Sequence, residues 1–509
     1  MVTKKSGFLI ALGVAAALCG CTVGPDYYLS DVEVPVSYGS AWKAVVTQET
    51  VPQPEPVRWW HTLHDRELDR LVERAVDCNP DIEIALTRVQ AFRTQQIVAI
   101  GYALPQVGGS ATYAAGTGTD LTKGRVAQSI RAGDSTTGFQ NITRMGGFDM
   151  GWELDIFGKY QRLLEAVRDD AQAMSELRNA VVITVIADVA RSYADIRGLQ
   201  LRLKIAQKAV DAAQKNVTLT QTRFERGLTN ELDATLAKRE LANLQAVLPQ
   251  LRAAISAAES RLSLLLGLYS PDLIPELRVP ASLPHVPSRL RAGVPADLLR
   301  RRPDIRQAER ALAGATARIG VATANLFPSV VFTAGLGAQG GNTTGKAATI
   351  GNPIWSAGPA GYWPLLDFGR LDALIDVQEL QAHELFVTYK KTILFAVEEV
   401  DEAIKQYRAE QQRLRELSVA LEQSKRAVAL ATERYERGLT DFLNVLDAER
   451  QEFTIEDQNA IAQEAAVMQY IALYKALGGG WELYDELPPL KEAQPALLAT
   501  VRRLTNDWH

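Results

Sequence analysis

At 509 residues the chain is long enough for several domains, or for one elongated architecture built from a repeat. Its formal charge is −5 and its basic residues are not pooled, which excludes the basic footprint of a nucleic-acid-binding protein.

The first twenty residues read as a signal peptide: Lys4 and Lys5, an apolar run from Phe8 to Leu18, then small residues. The run is too short to span a membrane as an anchor. It ends in Leu18-Cys19-Gly20-Cys21, which resembles a bacterial lipobox. In such a motif the thiol of Cys21 takes diacylglycerol and becomes the mature N-terminus. The residue after it is Thr22 rather than Asp, which in the lipoproteins it resembles is compatible with outer-membrane sorting. With the leader removed and Cys21 acylated, only Cys78 remains, so no intramolecular disulfide can form. Cys78 reads as a small buried residue just before a helix start.

Residues 21–60 read as an extended arm, because Pro25, Pro35, Pro52, Pro54 and Pro56 prevent a long helix. Trp59-Trp60 with Leu63, Leu68 and Leu71 begins a short amphipathic helix. Asn79-Pro80-Asp81 is a strong start signal for a helix to about Tyr102, and Arg302-Pro303-Asp304 opens a counterpart to about Leu326.

After each of these helices the period changes to two. Ile142, Arg144, Gly146, Phe148, Met150, Trp152 and Leu154 alternate with Thr143, Met145, Gly147, Asp149, Gly151 and Glu153, one face largely apolar and the other largely polar. Val330, Phe332, Ala334 and Leu336 alternate with Val331, Thr333, Gly335 and Gly337. Two weaker partners are Gly109 to Gly116 and Pro353 to Leu365, the second interrupted by Pro359 and Pro364. Such segments fit membrane strands of ~9 to 11 residues with alternate faces in lipid and water, although a small soluble sheet has the same period. Two strands per copy give four per chain, and an open four-stranded sheet cannot leave its edges in lipid. Three chains would close a barrel of twelve. Between the last two strands, the run from Gly340 to Ala347 almost spells a phosphate-binding loop. Ala347 replaces the required hydroxyl and no helix start follows, so it reads as a hairpin tip.

Each second strand runs into a long helix, 158–226 and 370–437, with apolar residues at coiled-coil spacing. At 1.5 Å per residue each helix extends roughly 100 Å. Both end in nearly the same words, Arg223-Phe224-Glu225-Arg226-Gly227-Leu228-Thr229 and Arg434-Tyr435-Glu436-Arg437-Gly438-Leu439-Thr440. Glycine there suits a left-handed helix end and a tight reversal. Return helices follow, the first carrying Pro249, which predicts a kink. A shift of 211 residues superposes Trp152 on Trp363 and Gly227 on Gly438; upstream the shift is 223, so the first copy has a longer strand loop. The predicted organisation is a leader (1–20), an arm (21–60) and a first repeat (61–267; strands 109–154, helices 158–267). A linker (268–295), a second repeat (296–477; strands 328–366, helices 369–477) and a tail (478–509) follow.

No nucleophile and base pair, phosphate loop or metal set is present, so the residues point to no enzyme and to no cofactor beyond lipid on Cys21. His61 and His64 lack a third ligand, and five His with five Met count against a metal-exporting specialist. Arg300-Arg301-Arg302 reads as a structural cluster.

Several motifs together resemble the outer-membrane efflux factors, the TolC-like and especially OprM-like or NodT-like lipoproteins that serve resistance-nodulation-division pumps. They are Cys21 to Tyr27, Gly151 to Gly158, Leu298 to Ile305, Ala315 to Ser329 and Leu473 to Trp481. The resemblance implies a mainly α fold with a membrane β-barrel. Three chains would form a homotrimeric twelve-stranded β-barrel in the outer membrane, continuing into a twelve-helix periplasmic α-barrel. It implies as partners a periplasmic adaptor, an inner-membrane pump and outer-membrane lipid, but no nucleic acid. By offset from the tip glycines, the periplasmic gate falls on Leu232, Asp233, Thr440, Asn444 and Asp447, with Asp441 added by proximity. Adaptor contacts fall on Arg223, Arg226, Gly227, Leu228, Thr229, Arg434, Arg437, Gly438 and Leu439, although the arginines would equally favour helix C-termini. Asn444 and Thr440 stand where some relatives have Asp and Arg, so a latch known between hairpins is not implied here. Other readings are a pore-less coiled-coil spacer, or a channel for a fusaric-acid-resistance-type or type I secretion system.

Overall fold

The computed structural model describes residues 22–28, 57–117, 140–269, 271, 275–287, 301–342 and 352–484. Helices α1 (Arg66–Cys78) and α2 (Pro80–Ala103) lead to strands β1 (Gln106–Thr117) and β2 (Gln140–Leu154). The long α3 (Lys159–Glu225) reverses into α4 (Glu231–Leu265). The second copy repeats this order with α5 (Pro303–Ala324), β3 (Ser329–Asn342), β4 (Asn352–Tyr362), α6 (Arg370–Glu436) and α7 (Phe442–Ala476). Cys21 and the leader lie outside the described residues, as do most of the arm, the strand-loop residues 118–139 and 343–351, and the tail from 485.

Local chemistry sets the helix boundaries. The Asn79 side chain accepts hydrogen bonds from the N–H groups of Asp81 and Ile82, at 2.8 and 3.3 Å, and Pro80 takes the first helical position. The Asn79 amide also donates to Leu265 O at 2.8 Å, tying the start of α2 to the end of α4. Trp59–Leu63 is a separate 3₁₀ turn rather than the start of α1, because His64 adopts a left-handed φ of 52°. Asp65 then caps α1 through Glu67 N and Leu68 N. Cys78 is exposed in the chain rather than buried. The inward stripe of α1 is Leu68, Leu71, Val72 and Ala75, and Asn79 takes the next buried position. Helix α4 continues through Pro249.

The sheet is antiparallel throughout, in the order β1-β2-β3-β4. Its register places Gly109 opposite Phe148, Phe148 opposite Leu336 and Leu336 opposite Trp355, so these four share one face. Phe148, Leu336 and Trp355 are all exposed in the chain, and the same face carries Val107, Met150, Trp152, Phe332 and Ala334. The opposite face carries Asp149, Glu153, Thr333 and Ser356. Pro359 sits inside β4, while Pro364 falls beyond its end. Pro353 and Pro359 are six residues apart, so their nitrogens face the same side of β4. Gly340 to Asn342 extend β3, and the remainder of the glycine-rich run lies outside the described residues.

The repeat is visible in two hydrogen bonds. Trp152 Nε1 donates to Ala103 O and Trp363 Nε1 to Leu326 O, both at 3.0 Å, each pinning a strand to the helix that precedes its hairpin. The main core lies where the two copies meet. Trp59 stacks on Tyr474 with centroids 5.7 Å apart, and Trp60, Tyr193, Tyr407 and Tyr470 are buried around them. Trp481, just past α7, is buried in the same core rather than free in a tail. Among the described residues no helix is long and apolar enough to cross a membrane.

Candidate functional site at the hairpin tips

Both reversals are built the same way. Gly227 and Gly438 hold φ values of 71° and 70°. Leu228 N donates to Arg223 O and Leu439 N to Arg434 O, both at 2.8 Å. Asn230 caps α4 through Asp233 N at 3.1 Å, and the Thr229 hydroxyl donates to Asp233 Oδ2. In the second tip Asn444 Nδ2 donates to Thr440 Oγ1 at 2.6 Å, and Asp441 holds the cap position without a side-chain bond. Asp441 and Asp447 are exposed.

The two tips meet at Tyr435. The Arg223 guanidinium lies 4.7 Å from the centroid of its ring and Phe442 lies 5.5 Å away, with Val445, Leu446 and Ala237 completing a small core. Burial pushes the Tyr435 hydroxyl above its usual pKa; Asp233 adds to that shift, and Arg223 and Thr229 oppose it. Arg223, proposed from sequence as an adaptor contact or a helix-end charge, is thus a bridge between hairpins. Arg437 pairs with Glu433 in its own helix, while Arg226 and Arg434 are exposed. The structure brings Asp233 to Thr229 and near Tyr435, and Thr440 to Asn444; Asp447 lies on α7, where its charge acts on Arg450. Sequence reasoning missed Tyr435, although one signal marked it: the tips differ there, Tyr435 standing where the first has Phe224.

Above the tips, charged pairs lace the hairpins together. Arg450 Nε donates to Glu240 at 2.8 Å, Asn216 to Glu449 at 2.6 Å, and Arg202 to both oxygens of Asp457 at 2.8 and 3.1 Å. At the far end, where sheet meets helix, Val23 N donates to Phe157 O at 3.2 Å. Arg162 donates to Val23 O, Gly24 O and Asp26 at 3.2, 3.3 and 2.5 Å, so the residues following Cys21 are docked at the base of the sheet. The cleft of about 370 Å³ at this junction is lined by Glu153, Asp155, Lys159 and Arg370 among others. Glu153 is taken up by Tyr160 and Lys159, and Asp155 caps α3 through Tyr160 N and Gln161 N. These are structural roles. His61 pairs with Asp69 at 3.6 Å, and no metal-binding cluster occurs among the described residues.

Two coiled-coil hairpins, each fed by a strand pair, define a TolC-like fold: mainly helical, four strands per chain, two repeats. A sequence model of the family described as outer membrane efflux protein matches residues 71–268 and 294–479. The chain belongs to that family, whose members are transport proteins and not enzymes. It is 29% identical over 473 residues to nodulation protein T of Rhizobium leguminosarum bv. viciae, covering 93% of each chain. It is 28% identical over 479 residues to the cation efflux system protein CusC of Escherichia coli K12, covering 93% of this chain and 99% of that one. The solved outer-membrane channel OprN superposes with a TM-score of 0.80 at 33% identity, over 91% of this chain and 100% of that one. The protein is therefore an outer-membrane efflux channel extending into the periplasm.

Proposed function

We propose that three copies of the chain, each anchored by lipid on Cys21 after removal of residues 1–20, form the exit duct of a tripartite efflux system. The observation that carries this reading is the four-stranded sheet whose outer strands, β1 and β4, each have one edge unpaired among the described residues. In lipid those edges must pair with other copies, and three copies give the twelve strands that leave a lumen. The exposed row Phe148–Leu336–Trp355 supplies a face suited to lipid, and the face carrying Asp149 and Thr333 one suited to water. Docking of Val23 to Asp26 at the base of the sheet supports an anchor on Cys21, because it holds the preceding residue near the membrane interface.

The helical hairpins carry the duct into the periplasm, where their tips form the gate. Leu232, Asp233, Thr440, Asp441, Asn444 and Asp447 lie in or just after the reversals. Three copies of Asp233 and Asp447 around one axis repel one another, attract cations and favour cation passage. Leu228 and Leu439 are 64% and 63% exposed, nearly equal in the two repeats. Neither is covered by a neighbouring hairpin, and that suits a crown for a periplasmic adaptor, together with Arg226, Gly227, Thr229, Arg437 and Gly438. The duct has no energy source of its own, so an inner-membrane pump of the resistance-nodulation-division type supplies the substrate.

The test is deletion of the gene, followed by accumulation of a fluorescent cationic dye, with complementation by wild type and by Cys21→Ser. The account predicts accumulation on deletion, full rescue by wild type and weaker rescue by the variant. Unchanged accumulation, with a protein that salt alone extracts once its lipid is removed, would support a pore-less periplasmic spacer instead.

A further inference from the structure

The two repeats place identical chemistry in unequal surroundings. Arg223 and Arg434 are equivalent under the shift of 211, and so are Phe224 and Tyr435. Tyr435 is 4% exposed, covered by Arg223, 4.7 Å from its ring, and Ala237 of hairpin one and by Phe442, Val445 and Leu446 of its own. Phe224 is 38% exposed, and Arg434 is exposed. By contrast Leu232 and Leu443 are 60% and 59% exposed, so the repeats do not differ everywhere. They differ at the pair that faces sideways.

We propose that Arg434 of one copy stacks on Phe224 of the partner subunit, so that the closed tips form a ring of six cation–aromatic joints, three within chains and three between them. In a closed ring of alternating hairpins, each second hairpin meets the next chain's first hairpin as each first hairpin meets its own second. The contact from Arg223 to Tyr435 must then recur from Arg434 to Phe224 across the chain boundary. The neighbouring residues fit this assignment. Near the Tyr435 hydroxyl, which has no hydrogen-bond partner among the described residues, the facing hairpin places Asp233 and Thr229, bonded to each other. Where the ring carries none, on Phe224, the equivalent positions are Thr440 and the uncharged Asn444, bonded to each other as Thr229 and Asp233 are. Phe442, which packs on Tyr435 within the chain, has Glu231 as its counterpart under the same shift, so the joint between chains lacks that second ring. The seam between copies is accordingly the weaker of the two and opens first.

This inference rests on the three-copy reading above, and its test separates the two. Full-length protein with Cys78→Ser receives cysteines in pairs, Phe224→Cys with Arg434→Cys, or Arg223→Cys with Tyr435→Cys, and is treated in detergent with a short bismaleimide. The first pair should give covalent dimers and trimers on a denaturing gel; the second should link within one chain and add no higher band. A native mass of one chain would overturn the three-copy reading and this proposal with it. A native mass of three chains with internal linking by the second pair, but no higher bands from the first, would overturn this proposal alone. In channel recordings Arg434→Ala should raise the open fraction at least several-fold and Arg434→Lys should restore most of the closure; no difference between Arg434→Ala and wild type would also overturn it.

Discussion

Gly198 of α3 lies so close to Glu464 of α7 that a Cβ at Gly198 would fall 2.2 Å from Oε2 and 2.9 Å from Cγ of that side chain. The hairpins of the two repeats are thus packed through a glycine against a half-buried carboxyl group. Burial pushes Glu464 up to about 7, with Asp195 adding repulsion and Arg202 partly opposing it.

That contact sets a pH dependence. The folded-state value lies above the unfolded one, so the folded protein holds this proton more tightly. The contribution of Glu464 to stability is fully present near and below pH 4.5, is lost as pH rises toward about 7, and does not change beyond. Asp169, pushed up to about 6 mainly by burial, acts with the same sign over a narrower window. Thermal midpoints across pH 5 to 8 should show this slope, and Glu464→Gln should remove most of it. Gly198→Ala should lower the midpoint at every pH, because overpacking against Glu464 costs roughly 1–3 kcal/mol of stability.

Gly158 and Gly369 are equivalent in the two repeats, with φ of 74° and 82°. Alanine at either incurs left-handed strain of about 1–2 kcal/mol. At Gly158 a Cβ would also meet Thr22 Cα at 2.8 Å, whereas at Gly369 nothing lies within 4 Å. Gly158→Ala should therefore free the segment after Cys21 and speed its limited proteolysis, while Gly369→Ala should leave that rate unchanged.

Arg302 locks the second repeat. Its guanidinium donates to Asp304 at 3.0 and 2.8 Å, to Glu399 at 2.8 Å and to Ala476 O at 2.6 Å, joining α5, α6 and the end of α7. Arg302→Ala should cost about 2–4 kcal/mol, because it leaves a buried carbonyl unpaired and removes packing beneath Gly478. Denaturant unfolding of the detergent-purified protein measures it.

The repeat, the tip glycines and the apolar strand faces were legible in the sequence because each follows from periodicity or from a residue with one favoured conformation. Asn79 and Pro80 announced α2 for the same reason. Long-range pairings were not legible. Nothing in the local pattern says that Trp59 will stack on Tyr474, that Trp481 will enter the core, or that Val23 will dock on Phe157. The Cys78 expectation failed because the buried stripe of α1 passes through Ala75 to Asn79 instead. At the tips, sequence offsets reached Asp233 and Asn444 but not the contact between Arg223 and Tyr435, which joins residues 212 apart.

Single-channel conductance in a planar bilayer tests the central claim most directly, comparing wild type with Asp233→Ala plus Asp447→Ala. The account predicts small, cation-selective currents from wild type, and larger or less selective ones from the variant. Silence from both proteins, with normal assembly in detergent, would contradict it.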